Sequence, residues 1–233
     1  MRSLLDQYKK YFSNEGFLYS FFLSVFMLVA SIFVDFYAAQ YATVSASGPV
    51  TDIILSNTRV YDVDGFFVFG AMGLVAFIAA VCLSQPRIIP FTLKTIALFV
   101  FIRSIFITLT HIGPFPTEVS FDGSTMHYAK EIVGKNLFGA FFSGNDLFFS
   151  GHTGLPFLMA FICWDNKWLR SIFIALSVAF GITVLLGHLH YSIDVFAAFF
   201  ITASIFNIAR IFFKEDYVRS VGMAEATKKA ASV

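Results

Sequence analysis

Charge is what this chain has least of. Asp, Glu, Lys and Arg make up 13% of its 233 residues, and 16 basic against 15 acidic side chains leave a net charge of +1. That balance offers no basic surface of the kind nucleic acid requires, so no nucleic-acid partner is expected. Cysteine is scarce too. Cys82 and Cys163 are the two in the chain, and neither has a Cys or His at metal-ligand spacing, so both read as free thiols packed like small apolar side chains. No cleavable signal peptide is evident. The polar and basic stretch Met1 to Glu15 leads into an apolar run long enough to span a bilayer, which is expected to serve as an uncleaved anchor. Internal repeats, linkers and low-complexity tracts are missing, apart from a polar tail after Ser220.

What fills the chain instead is hydrocarbon. Hydrophobic residues reach 58%, and Phe alone supplies 32. A water-soluble domain of this size carries much less. The apolar residues gather into six segments, Gly16–Ala38, Gly65–Ser84, Phe91–Ile112, Leu147–Trp164, Trp168–Gly187 and Tyr191–Phe213. Each has about 18–23 residues, enough for a helix to cross a hydrocarbon core of about 30 Å. A backbone in lipid must satisfy its own hydrogen bonds, so the segments are expected to be helices. The expectation is an all-α polytopic membrane protein, a single six-helix domain over residues 1–220 with a polar tail at 221–233.

Lys and Arg set the orientation. Arg2, Lys9, Lys10, Arg87, Lys167, Arg170, Lys214, Arg219, Lys228 and Lys229 fall on one side, against Arg59, Lys130 and Lys135 on the other. Both termini are therefore expected in the cytoplasm. Loops 39–64 and 113–146 and the turn His188–His190 then face outward. That side is the periplasm if the chain is bacterial, with the protein in the inner membrane. It is a lumen or the exterior if the chain is eukaryotic, with the protein in an endomembrane or the plasma membrane.

Two short motifs stand at the outward edges of these segments, Ser150-Gly151-His152-Thr153 and His190-Tyr191-Ser192-Ile193-Asp194. Ionisable groups at the border of a membrane segment are expensive and usually functional. The topology sends Arg103, in the outer half of the third segment, to the same level. On a helix, His190 and Asp194 at i, i+4 share a face. The carboxylate would take the Nδ1 proton and raise the basicity of Nε2, which could attack phosphorus. His152 would protonate the leaving oxygen. Backbone amides near Gly151 and the guanidinium of Arg103 would hold the phosphate oxygens. The bland readings are a capping or interfacial His190, a structural His190–Asp194 pair, a helix start at His152 and a snorkelling Arg103. Metal binding by His188 and His190 is not expected, because a His-x-His pair diverges on a helix. His111 and His127 read as surface residues at or in the outer loop that could line the substrate entrance, and Asp35 as an acid that either lines the site or, as the favoured reading, sits at the membrane interface.

At these residues the chain resembles the sphingomyelin synthase family, within the wider type 2 phosphatidic acid phosphatase (PAP2) superfamily. The resemblance runs through Gly144-Asn145-Asp146-Leu147-Phe148-Phe149-Ser150-Gly151-His152-Thr153 and His190-Tyr191-Ser192-Ile193-Asp194-Val195. Arg103-Ser104-Ile105-Phe106-Ile107-Thr108-Leu109-Thr110 is similar to the family's third-helix Arg motif. Asp62-Val63-Asp64-Gly65-Phe66-Phe67 is similar to its aspartate-bearing loop. The likeness covers roughly residues 60–205. It implies six spans, a non-cytoplasmic site, His190 as nucleophile, Asp194 as its partner and His152 as acid/base. It further implies substrate contacts from Arg103, Ser150, Gly151 and Asp64, with no cofactor and no metal. The implied reaction moves a phospho-head group from a phospholipid to a ceramide-type alcohol and leaves diacylglycerol.

The phosphatase branch of that superfamily fits less well. The chain has no Lys-x6-Arg-Pro stretch and no Ser-Arg pair six residues before His190, where Val184 stands. Animal synthases differ as well, in an extra N-terminal domain and in the loop before the fourth helix. The first expectation is thus a lipid head-group phosphotransferase with a phospholipid donor and a lipid alcohol acceptor. The alternative is a lipid phosphate phosphatase that uses the same residues and water. A transporter or assembly subunit is the third reading, weakened by the lack of repeats and by ionisable groups that cluster at one face. The bilayer is the expected surroundings, and a homo-oligomer is compatible with the sequence.

Overall fold

A computed structural model of the protein describes residues 4–116 and 147–221, and every regular element among them is helical. α1 (Leu4–Phe12) is a short amphipathic helix with Lys9 and Lys10 in its last turn. α2 (Glu15–Val44), α3 (Asp64–Ser84), α4 (Ile89–Leu109), α5 (Gly151–Ile162), α6 (Lys167–Leu186) and α7 (Ser192–Phe212) form the bundle, and α8 (Lys214–Val221) closes it. Among the described residues, five helical stretches are long and apolar enough to cross a membrane: Glu15–Val44, Asp64–Ser84, Pro86–Leu109, Lys167–Leu186 and Ser192–Phe212. The protein is an integral membrane protein. Large apolar side chains such as Phe22, Phe26, Phe33, Phe200 and Phe212 are exposed on the bundle surface, where hydrocarbon and not water is their solvent.

The helices depart from the apolar runs in two informative places. α2 continues to Val44, six residues beyond the expected end at Ala38. Ala39 and Ala42 are buried, so packing carries the helix on where hydropathy falls. The fourth segment, expected as a helix over Leu147–Trp164, is helical for only the 12 residues of α5, about 18 Å of rise. Leu147, Phe148 and Phe149 stay out of the helix, and the carbonyls of Leu147 and Phe149 serve His190 and Arg103. Non-helical backbone at this depth is tolerated when protein surrounds it, and Leu147 and Phe149 are buried.

Hydrogen bonds define two ends. At one, Tyr61 N–H donates to Leu186 O (2.9 Å) and Ser150 N–H to Asp194 O (3.1 Å), so the loop after α2, the start of α5 and the α6–α7 turn meet. Both histidine motifs lie here. At the far end, Tyr8 Oη donates to Leu83 O (2.9 Å) and seats α1 under the α3–α4 turn. Between the ends, Phe91, Phe99, Leu158, Ala198, Ile205 and Phe206 form an apolar core shared by α4, α5 and α7. Gly154 lets these helices approach. A Cβ there would stand 2.8 Å from the Phe99 ring and 2.9 Å from Thr202 Oγ1.

The far end also holds a buried ionic group that charge counting passed over. Lys94 Nζ lies 2.6 Å from Asp216 Oδ2 and 2.7 Å from Ser20 Oγ. Ser20 donates to the same carboxylate at 2.7 Å, and Arg219 reaches its other oxygen at 2.8 Å. α8 is thereby tied to α2 and α4. His127, Lys130, Lys135, the Gly144-Asn145-Asp146 part of the first motif and the tail from 222 lie outside the described residues.

Candidate active site

The site is assembled from chain breaks between helices. Ser150 is the N-cap of α5, its side chain fully buried. Its Oγ accepts from Thr153 N–H at 3.4 Å and from the Thr153 hydroxyl at 3.2 Å. That work starts the helix at Gly151 and leaves His152 in its first turn. The His152 ring stacks on Phe67, in the first turn of α3, with centroids 4.1 Å apart, and Phe180 of α6 borders it at 5.9 Å. His190 and Arg103 are its electrostatic neighbours.

His190 stands two residues before α7, not inside it. The i, i+4 geometry expected from a continuous helix is therefore not how His190 and Asp194 meet. Asp194 is the third residue of α7, and its Oδ2 reaches back to accept Tyr191 N–H at 2.9 Å, the carboxylate half of a capping box. From that position the same oxygen lies 3.5 Å from His190 Nδ1. The nearer partner of Nδ1 is Leu147 O, at 2.8 Å. A carbonyl can only accept, so Nδ1 carries a proton, and in the neutral ring the lone pair is on Nε2. Nε2 has no hydrogen-bond partner among the described residues. Asp194 is fully buried, and its Oδ1 is sealed from solvent without a partner among the described residues.

Arg103 is buried in α4 and donates from Nε to Phe149 O at 3.0 Å. Its guanidinium lies against the first turn of α5. A Cβ on Gly151 would be 3.3 Å from Arg103 Nε, so glycine gives the arginine its seat. Asp35 of α2 faces Arg103 at 3.7 Å and accepts from Ser104 Oγ at 3.0 Å. The acid expected at the interface is thus a partner of the arginine. Asp64 opens α3 at the same end of the bundle, three residues before Phe67.

The other two described histidines, His188 and His111, lie outside the helices. His188 adopts φ 54°, and its Nε2 lies 3.1 Å from Thr58 O. It points to a different partner from His190. His111 Nε2 lies 3.0 Å from Thr108 O.

Asp52 is the residue that sequence reading missed. It sits in the loop after α2 and caps α7 from outside, accepting Ser192 N–H on Oδ2 at 2.6 Å. Its Oδ1 accepts Ile54 N–H at 2.9 Å and Leu55 N–H at 3.1 Å. Burial pushes the pKa of Asp52 up, but hydrogen bonds from Ser192, Leu55 and Ile54 outweigh it and hold the carboxyl below its usual value. Nothing in local sequence signals a cap that comes from 140 residues away.

Chemically, the arrangement offers a buried imidazole with a defined tautomer, a second imidazole, a guanidinium and a helix N-terminus at Gly151. The N-terminus of α7 is already engaged by two carboxylates, Asp52 and Asp194. α5 is therefore the helix whose amides suit an anion.

Residues 143–211 match the family model described as PAP2 superfamily C-terminal. The matched stretch takes in both histidine motifs, α5, α6 and nearly all of α7. A search of curated proteins finds no match. The family match supports the PAP2 superfamily, and with it a lipid enzyme of phosphatase or phosphotransferase type.

Proposed function

We propose that the protein is a lipid head-group phosphotransferase resembling the sphingomyelin synthases, working through His190, Asp194 and His152 in a six-pass membrane domain. The observation that carries the reading is the state of the His190 ring: Nδ1 is fixed by Leu147 O at 2.8 Å, a buried carboxylate stands 3.5 Å away, and Nε2 is left without a partner among the described residues.

The chemistry follows from that ring. The Nε2 lone pair attacks the phosphorus of a phospholipid, and an N–P bond forms as the bond from phosphorus to the glycerol oxygen breaks. The departing oxygen takes a proton from protonated His152 and leaves as diacylglycerol. Positive charge that develops on His190 is balanced by Asp194. Arg103 and the first amides of α5 hold the non-bridging oxygens. In the second half, neutral His152 takes the proton of an alcohol whose oxygen attacks phosphorus. The N–P bond breaks and both histidines return to their starting states. Ser150 supports the site through the cap that starts α5, and Asp64 stands at the mouth on α3. The reaction needs no cofactor or metal.

The helix order favours a six-pass arrangement. α5 begins beside the α6–α7 turn, and the residues after it, Cys163 to Asn166, line a small cavity with Gln85, Arg87 and Tyr217 at the far end. α5 and the extended residues before it therefore run the length of the bundle. With the Lys and Arg bias, both termini are cytoplasmic and the histidines face outward.

The test is incubation of purified protein with defined phospholipids, with and without ceramide or diacylglycerol, and mass spectrometry of all products. A new phospholipid formed only with the alcohol present, together with diacylglycerol, supports transfer. Inorganic phosphate or a free phosphorylated head group, whether or not the alcohol is present, would assign hydrolysis. His190→Ala should abolish either reaction while the protein still inserts and folds.

A further inference from the structure

α7 begins on a residue that cannot cap it: Tyr191 makes no side-chain cap to its own helix. The first N–H groups of a helix need partners, and here the first is met by Asp52 from a distant loop, at 2.6 Å. Tyr191 itself is gripped from two directions. Its hydroxyl donates to Gly113 O at 2.8 Å and accepts from Val50 N–H at 3.2 Å. Leu55, Leu147 and Tyr191 close over the same point as a buried apolar cluster. His190 and Asp194 flank these anchored residues on either side, and Leu147, whose carbonyl holds the His190 ring, belongs to the cluster.

We infer that Asp52 is a positioning residue of the His190 site: from the loop between α2 and α3 it caps the N-terminus of α7 and thereby holds the His190 ring in register with Leu147 O and Asp194. It acts through Ser192 and Tyr191 and touches no reacting atom. The inference rests on the reading of His190 as nucleophile. It explains why Asp52 is a carboxylate. One oxygen is used by Ile54 and Leu55 to shape its own loop, and the other by Ser192. An asparagine has a single acceptor oxygen and could serve only one of the two.

The test compares wild-type protein, Asp52→Ala and Asp52→Asn, each full-length in lipid nanodiscs. The readouts are kcat and KM, the thermal midpoint and ring 15N resonances of His190 from histidine-labelled protein. A reacting group displaced by about 1 Å loses on the order of 10²-fold in rate, so Asp52→Ala should lose on the order of 10²-fold in kcat with KM nearly unchanged. Its His190 ring should lose the single Nδ1–H tautomer. Asp52→Asn should fall between it and wild type. Wild-type kcat in Asp52→Ala, or a loss of kcat that accompanies an unaltered His190 spectrum, would overturn the positioning role. The spectrum is read without turnover. If His190→Ala retains activity, the nucleophile reading fails while the effect of Asp52 on the ring is still measured.

Discussion

His190 draws its proposed reactivity from what occupies its other nitrogen. Leu147 O fixes the ring, and Asp194 supplies charge that a carbonyl lacks. Asp194→Asn keeps an oxygen for Tyr191 N–H, so the cap and the fold should survive. The negative charge beside the imidazole is lost, and kcat should fall by roughly 10²- to 10⁴-fold, as when other His-carboxylate pairs are neutralised, with KM little changed in mixed-micelle kinetics. Asp52 sets a pH limit on the same turn. Its folded pKa is depressed below the usual 3.8, so its contribution to stability is complete above that value and is lost as pH falls through the folded pKa. Thermal midpoints measured from pH 7 to pH 3 should show wild type more stable than Asp52→Asn at pH 5 and above. The gap should narrow in acid below about pH 4.

At the scale of elements, hydropathy located the helices but misplaced their ends. α5 and α7 both start later than the apolar runs that contain them, because the residues before them spend backbone groups on the site. Leu147 and Phe149 look as apolar as any helical residue, and nothing in their side chains tells that their carbonyls hold His190 and Arg103. The two histidine motifs were legible because ionisable side chains at the border of apolar segments stand out. The pairing of His190 with Asp194 was legible as well, though for a different reason than helix periodicity. Asp52 was not, since its contacts are with backbone N–H groups of distant residues and leave no pattern in sequence. Packing among α4, α5 and α7 depends on Gly154. Gly154→Ala places a Cβ 2.8 Å from the Phe99 ring, and overpacking of this kind costs about 1–3 kcal/mol. Its midpoint in a detergent melt should drop, whereas Gly73→Ala, which meets open space, should not lower it.

The whole molecule has a polar group at each end, and they differ in purpose. The far-end group of Lys94, Asp216, Ser20 and Arg219 binds the closing helix to the bundle. Lys94 within an apolar run was a signal that a partner had to exist; the partner sits 122 residues away and could not be named from sequence. Breaking such a pair strands a buried charge, which costs roughly 3–5 kcal/mol, with Arg219 offsetting part of it here. Lys94→Met should therefore destabilise the protein, and Lys94→Met with Asp216→Leu should recover much of the loss. The orientation is tested by single exposed cysteines in sealed cells. Ser56→Cys should react with a membrane-impermeant maleimide, and Glu215→Cys only after permeabilisation.

The central claim is that one imidazole carries phosphorus between two lipids. Its most direct measurement is rapid acid-free denaturation during turnover of a phospholipid labelled in its phosphate, followed by peptide mass spectrometry under alkaline conditions that preserve phosphohistidine. The account predicts label on His190, chased away by added lipid alcohol and missing from His190→Ala. Label on another residue, or turnover in His190→Ala at the wild-type rate, would contradict it.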